Sequence, residues 1–300
     1  GWMNRTLGQG DLGTRGLGDS KARNLVANLF VLLVIFLTGC TAQNKSKLVL
    51  NENNDSYKIA VAAPQIGPYK ALGLSIINGA ELAVDIKNNE GGINGKKITL
   101  IKVDDGGLSG EGTWRARNLA EQMVLGVIGH LNSDISIPAS EVYSKAKIAE
   151  ITPGSTSPFF TEREAVRGYV FRTIGRDDYQ GKLAADFAKK NEFKKVAVLY
   201  NNRSYGSSLA SEFIKEIDKT INHPEVVFYK TYNVDSSNFS KEILQLKQNL
   251  PDFIFFAGEY GDAAKFLTKL RSSGLKSVFL GSEGVFDEEL ITSAKTASEG

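Results

Sequence analysis

The 300-residue chain has little of the chemistry on which hydrolases and metalloproteins depend. It contains a single cysteine, Cys40, so no disulfide can form within the chain and a core must stabilise the fold. Its two histidines, His130 and His223, have no second histidine or cysteine at ligand spacing, which argues against a metal site. The G-x-S-x-G pattern of a serine hydrolase is absent. With a net charge of +2 and no basic run, the chain shows no sign of nucleic-acid binding.

A glycine-rich segment over residues 106–112 follows one apolar run and opens a helical one, as nucleotide-binding loops do. In a G-x-G-x-x-G pattern started at Gly110, the third glycine would fall on Arg115. We therefore interpret the segment as an ordinary turn and predict no cofactor. The preceding Asp104 and Asp105 are interpreted as helix-capping, solvated residues rather than as an acid and base pair.

The N-terminal part of the sequence has the pattern of a secretion signal. The apolar run 25–37 follows two basic residues and ends at the lipobox Leu37–Cys40. The run is shorter than the ~20 residues needed to span a bilayer, so residues 1–40 are predicted to be a signal peptide with lipid attached at Cys40. The polar residues 41–56 are expected to form a flexible tether. The protein is thus predicted to be an extracytoplasmic lipoprotein, anchored in the periplasm or on the cell surface of a bacterium.

Beyond the tether, apolar runs of strand length alternate with segments of helical periodicity. This alternation predicts βαβ units and parallel sheets, hence an α/β fold with two doubly wound lobes joined by a hinge. The first part of the N-terminal lobe is placed at residues 57–174 and the second lobe at 175–300, with the crossing near Phe171–Arg176. The predicted strands cover residues 57–63, 98–103, 126–129, 148–151, 195–200, 226–229, 252–257 and 277–280, and helices are predicted between them.

Ligands of open α/β sheets bind beyond the carboxyl ends of the strands. Two such ends in the first lobe, residues 129–133 and 152–156, are rich in hydroxyl groups and precede helical segments whose free N–H groups suit a carboxylate. Each segment alone is also explained by ordinary helix capping. In the second lobe Tyr205, Glu259 and Glu283 follow three strands. A carboxylate there would bind an ammonium group, so the two lobes together would clamp a zwitterion.

The order of several short motifs resembles that of the leucine/isoleucine/valine-binding proteins. The motifs are Asn78-Gly79-Ala80, Gly91-Gly92-Ile93-Asn94-Gly95, Gly129-His130-Leu131, Pro138-Ala139-Ser140, Thr152-Pro153-Gly154-Ser155-Thr156-Ser157-Pro158, Gln180-Gly181, Tyr205-Gly206 and Gly281-Ser282-Glu283-Gly284-Val285. Proteins of this kind are extracytoplasmic substrate-binding components of ABC transporters, with the type I periplasmic-binding fold. The resemblance runs from about Tyr57 to the end of the chain.

The resemblance implies roles for individual residues. Ser133 and Thr156 match positions that bind the ligand carboxylate, helped by the backbone around Leu131 and Ser155. Tyr205 matches an aromatic residue that covers the ligand. Glu283, which completes this clamp, matches the carboxylate that binds the α-ammonium group.

Three positions depart from the branched-chain pattern. Leu72 stands where a tyrosine is expected, Asn132 replaces a small thiol residue, and Glu259 replaces an aromatic residue. The α-amino-acid clamp is therefore expected to be kept, whereas the side-chain pocket is altered. Glu259 would favour a polar or cationic side chain, or it would bond Tyr205 or face water; these alternatives stay open at this point.

The implied function is capture of an amino acid, branched-chain, small aliphatic or polar, and its delivery to an ABC transporter permease. Neither catalysis nor oligomer formation is expected, so the protein is predicted to be a monomer and not an enzyme. Two alternatives remain: a ligand-sensing lipoprotein of the same fold, and a secreted lipid-anchored enzyme. Because family members continue past the position of Gly300, the second lobe is expected to be truncated before its return to the first, leaving the fold C-terminally incomplete.

Overall fold

The computed structural model describes residues 56–219, 223–234 and 238–299. The predicted signal peptide, the lipobox with Cys40 and all of the predicted tether before residue 56 lie outside the described residues. Within the described ranges no helix has both the length and the hydropathy that crossing a bilayer requires. In the same ranges no three His, Cys, Asp or Glu side chains come together in a way that would hold a metal ion.

The first lobe is built on a parallel sheet of five strands in the order β2-β1-β3-β4-β5. Its elements are β1 (Ser56–Ala62), α1 (Lys70–Asn89), β2 (Lys97–Val103), α2 (Ser109–Glu121), β3 (Gly126–Gly129), α3 (Ser133–Lys145), β4 (Ala149–Thr152), the single-turn α4 (Phe159–Glu162) and β5 (Val170–Arg172). A 3₁₀ turn, Glu164–Val166, precedes the last strand.

The second lobe has a parallel sheet of four strands in the order β7-β6-β8-β9. Its elements are α5 (Asp177–Lys190), β6 (Lys195–Asn201), α6 (Ser204–Asp218), β7 (Glu225–Tyr232), α7 (Ser240–Asn249), β8 (Phe253–Ala257), α8 (Tyr260–Ser272), β9 (Val278–Gly281) and α9 (Glu288–Ala294). Two 3₁₀ turns, Glu283–Val285 and Lys295–Ser298, flank α9.

Side chains that alternate along the strands fill a core on each face of both sheets. In β8 all five residues of the sequence FIFFA are buried, as expected for a strand of a parallel sheet covered by helices on both faces. Phe253 and Phe255 pack with residues of α5 and α6, whereas Ile254 and Phe256 pack with residues of α7 and α8. Burial of such a Phe side chain stabilises the fold by about 1.5–3 kcal/mol.

The α/β prediction with two doubly wound lobes is confirmed, and the predicted strands are all present to within one or two residues at most ends. One difference is a helix start: the apolar periodicity predicts the helix after β6 over residues 207–219, whereas α6 begins at Ser204. The Oδ1 atom of Asn201 accepts hydrogen bonds from the N–H groups of Arg203 and Gly206, both at 3.1 Å, which stabilises the earlier start. Tyr205 consequently lies inside the first turn of a helix.

Candidate ligand-binding site

Hydrogen bonds to backbone carbonyl groups join two loops at the carboxyl ends of β3 and β4. The carbonyl oxygen of His130 accepts hydrogen bonds from the hydroxyls of Thr152 at 2.6 Å and Ser136 at 3.2 Å. The hydroxyl of Ser155 donates to the carbonyl oxygen of Leu131 at 3.2 Å. A Cβ added to Gly154 would lie 2.6 Å from Leu131 Cδ1, so only glycine permits this approach of the two loops.

A buried polar network lies beneath these loops. His130 Nδ1 is 2.7 Å from Asp105 Oδ2, and His130 Nε2 is 3.1 Å from the Tyr143 hydroxyl; all three side chains are inaccessible to solvent. The prediction that Asp105 is solvated is therefore wrong: its Oδ1 accepts from the N–H of Gly107 at 3.0 Å, as a turn cap does, but its Oδ2 contacts the buried imidazole. Asp104 does cap the turn, with Oδ1 accepting from the N–H of Gly106 at 2.8 Å.

Another buried acid, Glu150 on β4, was not recognised in the sequence. Its side chain is fully buried, and no hydrogen bond of good geometry reaches either carboxylate oxygen from the described residues. Burial holds the pKa of Glu150 well above its ordinary value, against the opposing effects of the nearby His130 backbone and the Arg163 charge. An isolated acid within an apolar-looking strand of four residues gives no sequence signal of such burial.

The four first-lobe residues predicted at the carboxylate end all lie on these two loops. Two of their hydroxyls have partners: Ser133 Oγ accepts from the N–H of Ser157 at 3.4 Å, and Ser155 Oγ is 2.5 Å from Ser136 Oγ. Two other polar atoms are buried without a hydrogen bond of good geometry from the described residues. They are Thr156 Oγ1 and the Oδ1 atom of Asn132, a residue expected in the altered side-chain pocket. The start of α3 adds backbone N–H groups that no helical carbonyl can accept.

Asp177, the first residue of α5, faces this end and was missed by the sequence analysis. Its N–H donates to the Thr156 carbonyl oxygen at 3.1 Å, and its side chain is completely buried. Burial raises the pKa of Asp177 to about 6, although the hydroxyls of Ser208 and Thr156 and the charge of Arg172 partly oppose the rise. Neither carboxylate oxygen has a hydrogen bond of good geometry within the described part of the chain. Asp177 forms no ion pair with a described residue, so a cationic hydrogen-bond donor would stabilise its ionised form.

Glu283 and Tyr205 are brought together in the second lobe. The N–H of Gly284 donates to the Tyr205 hydroxyl at 3.3 Å, and the Tyr205 ring is buried in the core against α5 and β8. Gln180 Nε2 donates to Glu283 Oε2, and the Glu283 N–H donates to Gln180 Oε1 at 3.1 Å. Part of Glu283 is open to solvent, yet the surrounding protein desolvates its carboxylate and raises the pKa to about 7, helped by the charge of Asp177.

Glu259 follows the neighbouring strand β8 and is bonded to another strand end. Asn201 Nδ2 donates to Glu259 Oε2 at 2.8 Å. Burial raises the pKa of Glu259 to about 7, and the Asp262 charge adds to the rise. Across from it in the first lobe lies Tyr69, a buried residue whose own pKa is raised by burial and then by the charge of Glu259. Leu72, the residue predicted at this end, is half-buried one turn further along α1.

Arg203 connects elements of the two sheets and was also missed. Its Nη1 atom donates to the Gly107 carbonyl oxygen and to Asp134 Oδ2, both at 2.9 Å. Its guanidinium carbon lies 5.2 Å from the centre of the Tyr69 ring. Asp134 is in the first turn of α3, so this bridge lies beside the loop that carries Ser133. An arginine before a helix has no distinguishing spacing, so no sequence pattern identifies its role.

The arrangement combines complementary groups along the carboxyl ends of both sheets. The first lobe supplies neutral polar atoms and helix N–H groups, which suit an anion. The second lobe supplies carboxylates that have no ion pair with any described residue, which suit a cation. A molecule that carries both charges satisfies the two sets at once.

Comparison with known proteins agrees with this description. A family model described as "Periplasmic binding protein" matches residues 56–300. The Leu/Ile/Val-binding protein homolog 1 of Brucella suis biovar 1 (strain 1330) is 36% identical over 244 residues, which are 81% of this chain and 64% of that protein. The Leu/Ile/Val-binding protein of Citrobacter freundii is 32% identical over 267 residues, 88% of this chain and 70% of that protein. The chain thus spans slightly less than two thirds of the Brucella relative.

Solved structures give the same fold. The branched-chain amino acid transporter substrate binding protein LivJ from Streptococcus pneumoniae, in complex with isoleucine, has a TM-score of 0.71 and 27% identity, covering 80% of this chain and 68% of that one. The leucine binding protein LivK from Thermotoga maritima has a TM-score of 0.73 and 27% identity, covering 81% and 68%.

Proposed function

The chain belongs to the periplasmic binding protein family, and from this premise we propose that it captures an amino acid between its two lobes and delivers it to the permease of an ABC transporter. The resemblance drawn from the sequence motifs is confirmed by the family match and by the Leu/Ile/Val-binding relatives. The proposed activity is binding without catalysis.

One observation carries the proposal. The buried carboxylate of Asp177 forms no ion pair and no hydrogen bond of good geometry with the described residues, and only the nearby hydroxyls of Ser208 and Thr156 and the charge of Arg172 offset its burial. Burying a carboxylate without a partner is costly, and the rise of its pKa to about 6 reflects that cost. An α-ammonium group would donate hydrogen bonds to Asp177 and Glu283, while the adjoining carboxylate of the same ligand would accept from Thr156 and from the backbone at the start of α3.

In this proposal each predicted site residue has a definite place. Ser133, Thr156 and the backbone at Leu131 and Ser155 bind the carboxylate. Glu283 binds the ammonium group. Tyr205, expected from the resemblance to cover the ligand, instead packs its ring in the core of the second lobe and bonds Gly284 beside Glu283. The remaining residues, Asn132, Glu259 and Leu72, border the side chain of the ligand.

The binding cycle follows from the interactions between lobes. Because the ligand contacts both lobes only when they are close, it shifts the protein toward the closed form. Arg203 links Asp134 and Gly107 of the first lobe to the second lobe and would stabilise that form. We further propose an extracytoplasmic location, a lipid anchor at Cys40, and a monomer that docks on its permease.

The proposal is tested by thermal unfolding of the full chain in mild detergent, with each of the common amino acids added in turn. A ligand at about a hundred times its Kd should add about 2.7 kcal/mol and raise the Tm measurably. A rise with one amino acid or a related group of them supports the proposal. The absence of any rise across the whole panel at millimolar concentration contradicts it.

A further inference from the structure

The carboxylate of Glu259 is available to a ligand. It follows β8, which pairs directly with β9, the strand that precedes Glu283. Adjacent parallel strands are about 4.8 Å apart, so the two acids occupy neighbouring positions at the same edge of the sheet. Glu259 does not bond Tyr205, whose hydroxyl accepts from Gly284 instead. Asn201 is the one side-chain donor to Glu259 in the described residues, and it reaches Oε2 only.

The charged side chains around Glu259 have ion-pair partners other than Glu259. Asp262, on the first turn of α8, and Arg203 act on Glu259 with opposite charges. Each of them is itself paired, Asp262 with Lys265 at 3.3 Å and Arg203 with Asp134 at 2.9 Å. Arg203 directs its hydrogen bonds to Asp134 and to the Gly107 carbonyl, and none to Glu259. Glu259 therefore forms no ion pair with the bridge beside it, although the charge of Arg203 acts on it from beyond ion-pair distance.

An unpaired hydroxyl adds a second and independent observation. The hydroxyl of Tyr232 is buried and has no hydrogen-bond partner among the described residues. The hydroxyl oxygen lies close to Gly258, the residue before Glu259. A Cβ built on Gly258 would be 2.0 Å from this oxygen. A hydroxyl oxygen beside a carboxylate can accept a second hydrogen bond from the same donor group.

We propose that the ligand's side chain ends in a cationic hydrogen-bond donor, which binds Glu259 with help from Tyr232. This inference rests on the proposed amino-acid clamp and assigns the class of amino acid, of which lysine is the simplest member. A hydrocarbon side chain at this position would leave the Glu259 carboxylate desolvated and unpaired, which is unfavourable. The ammonium group of a lysine side chain instead replaces the water lost on closure.

The test is a calorimetric titration of the full chain with lysine and with norleucine, which has the same straight carbon chain without the terminal ammonium. Lysine should bind wild-type protein about thirtyfold more tightly or better, because the pair with Glu259 is shielded from water. In Glu259→Gln this preference should fall by at least tenfold. Glu225→Gln is the matched control. Glu225 is exposed at the start of strand β7, at the other end of the strand from Tyr232, so this substitution should leave the preference unchanged.

The outcomes separate this inference from the proposed function. Norleucine or leucine binding wild-type protein as tightly as lysine overturns the inference but leaves the amino-acid clamp intact. Failure of all three to bind, together with a flat thermal panel, overturns both. If Glu259→Gln does not fold, the comparison of lysine with norleucine on wild-type protein still decides the inference.

Discussion

Replacement of Arg203 tests whether contacts between the lobes contribute to ligand affinity. The bridge from Arg203 to Asp134 is largely shielded, with side chains 17% and 22% exposed, and a second bond of 2.9 Å reaches the Gly107 carbonyl. Hydrogen bonds to charged groups contribute about 1.5–3 kcal/mol, and stacking on an aromatic ring adds about 0.5–1 kcal/mol. Partial solvation and the remaining polarity of glutamine reduce the expected loss in Arg203→Gln to about 2 kcal/mol.

If the Arg203 bridge forms only when the lobes are close, losing its free energy weakens ligand binding. Arg203→Gln should then weaken binding of the most stabilising amino acid about thirtyfold in a calorimetric titration. Arg163→Gln is the matched control, because Arg163 pairs with Glu141 and bonds Ile137 within the first lobe alone. It should lower the Tm and leave Kd unchanged. An unchanged Kd in Arg203→Gln would refute the reasoning.

Three further predictions concern the groups around the site. Desolvation raises the pKa values of Glu259 and Glu283 from 4.5 to about 7. At a pH between these values the folded protein therefore binds more protons than the unfolded chain. The Tm of the ligand-free protein should consequently fall as pH rises from about 4.5 to 7. A Tm that rises over this range would contradict the assignment. Asp105→Ala leaves buried His130 without its partner and should reduce the free energy of unfolding by about 1–3 kcal/mol in urea titrations, whereas an unchanged midpoint would exclude a structural role. Gly154→Ala forces a contact with Leu131 and should cost about 1–3 kcal/mol and weaken binding; unaltered stability and Kd would show that the loops adapt freely.

Local sequence patterns predict most of the fold. Apolar runs of four to eight residues separated by helical periodicity predict parallel βαβ units, since both faces of such strands must be covered. Helix starts were harder, because they depend on single side-chain bonds. The start of α6 is fixed by Asn201, which is part of a strand and bonds N–H groups two and five residues later. Nothing in the apolar pattern distinguishes that asparagine from one in a loop.

The predictable part of the site is the part that strand ends determine. Ser133, Thr156 and Glu283 each follow a strand, so topology alone places them at one edge. Arg203 and Asp134 are 69 residues apart, and their bond depends on how two lobes meet, which no local pattern encodes. The burial of two adjacent acids could not be predicted from the sequence either. Asp104 and Asp105 look alike in the sequence, and only the position of His130 just after strand β3 decides which one is buried.

The central claim is that an amino acid is bound through both of its charged α-groups. The most direct measurement is calorimetric titration of the full chain with the amino acid that gives the largest thermal shift, alongside its N-acetyl derivative and its carboxamide. The account predicts binding of the free amino acid and a loss of at least about thirtyfold with either derivative, because each leaves a charged or polar group of the clamp unpaired. Equal affinity for the N-acetyl derivative would contradict the roles of Asp177 and Glu283, and with them the clamp itself.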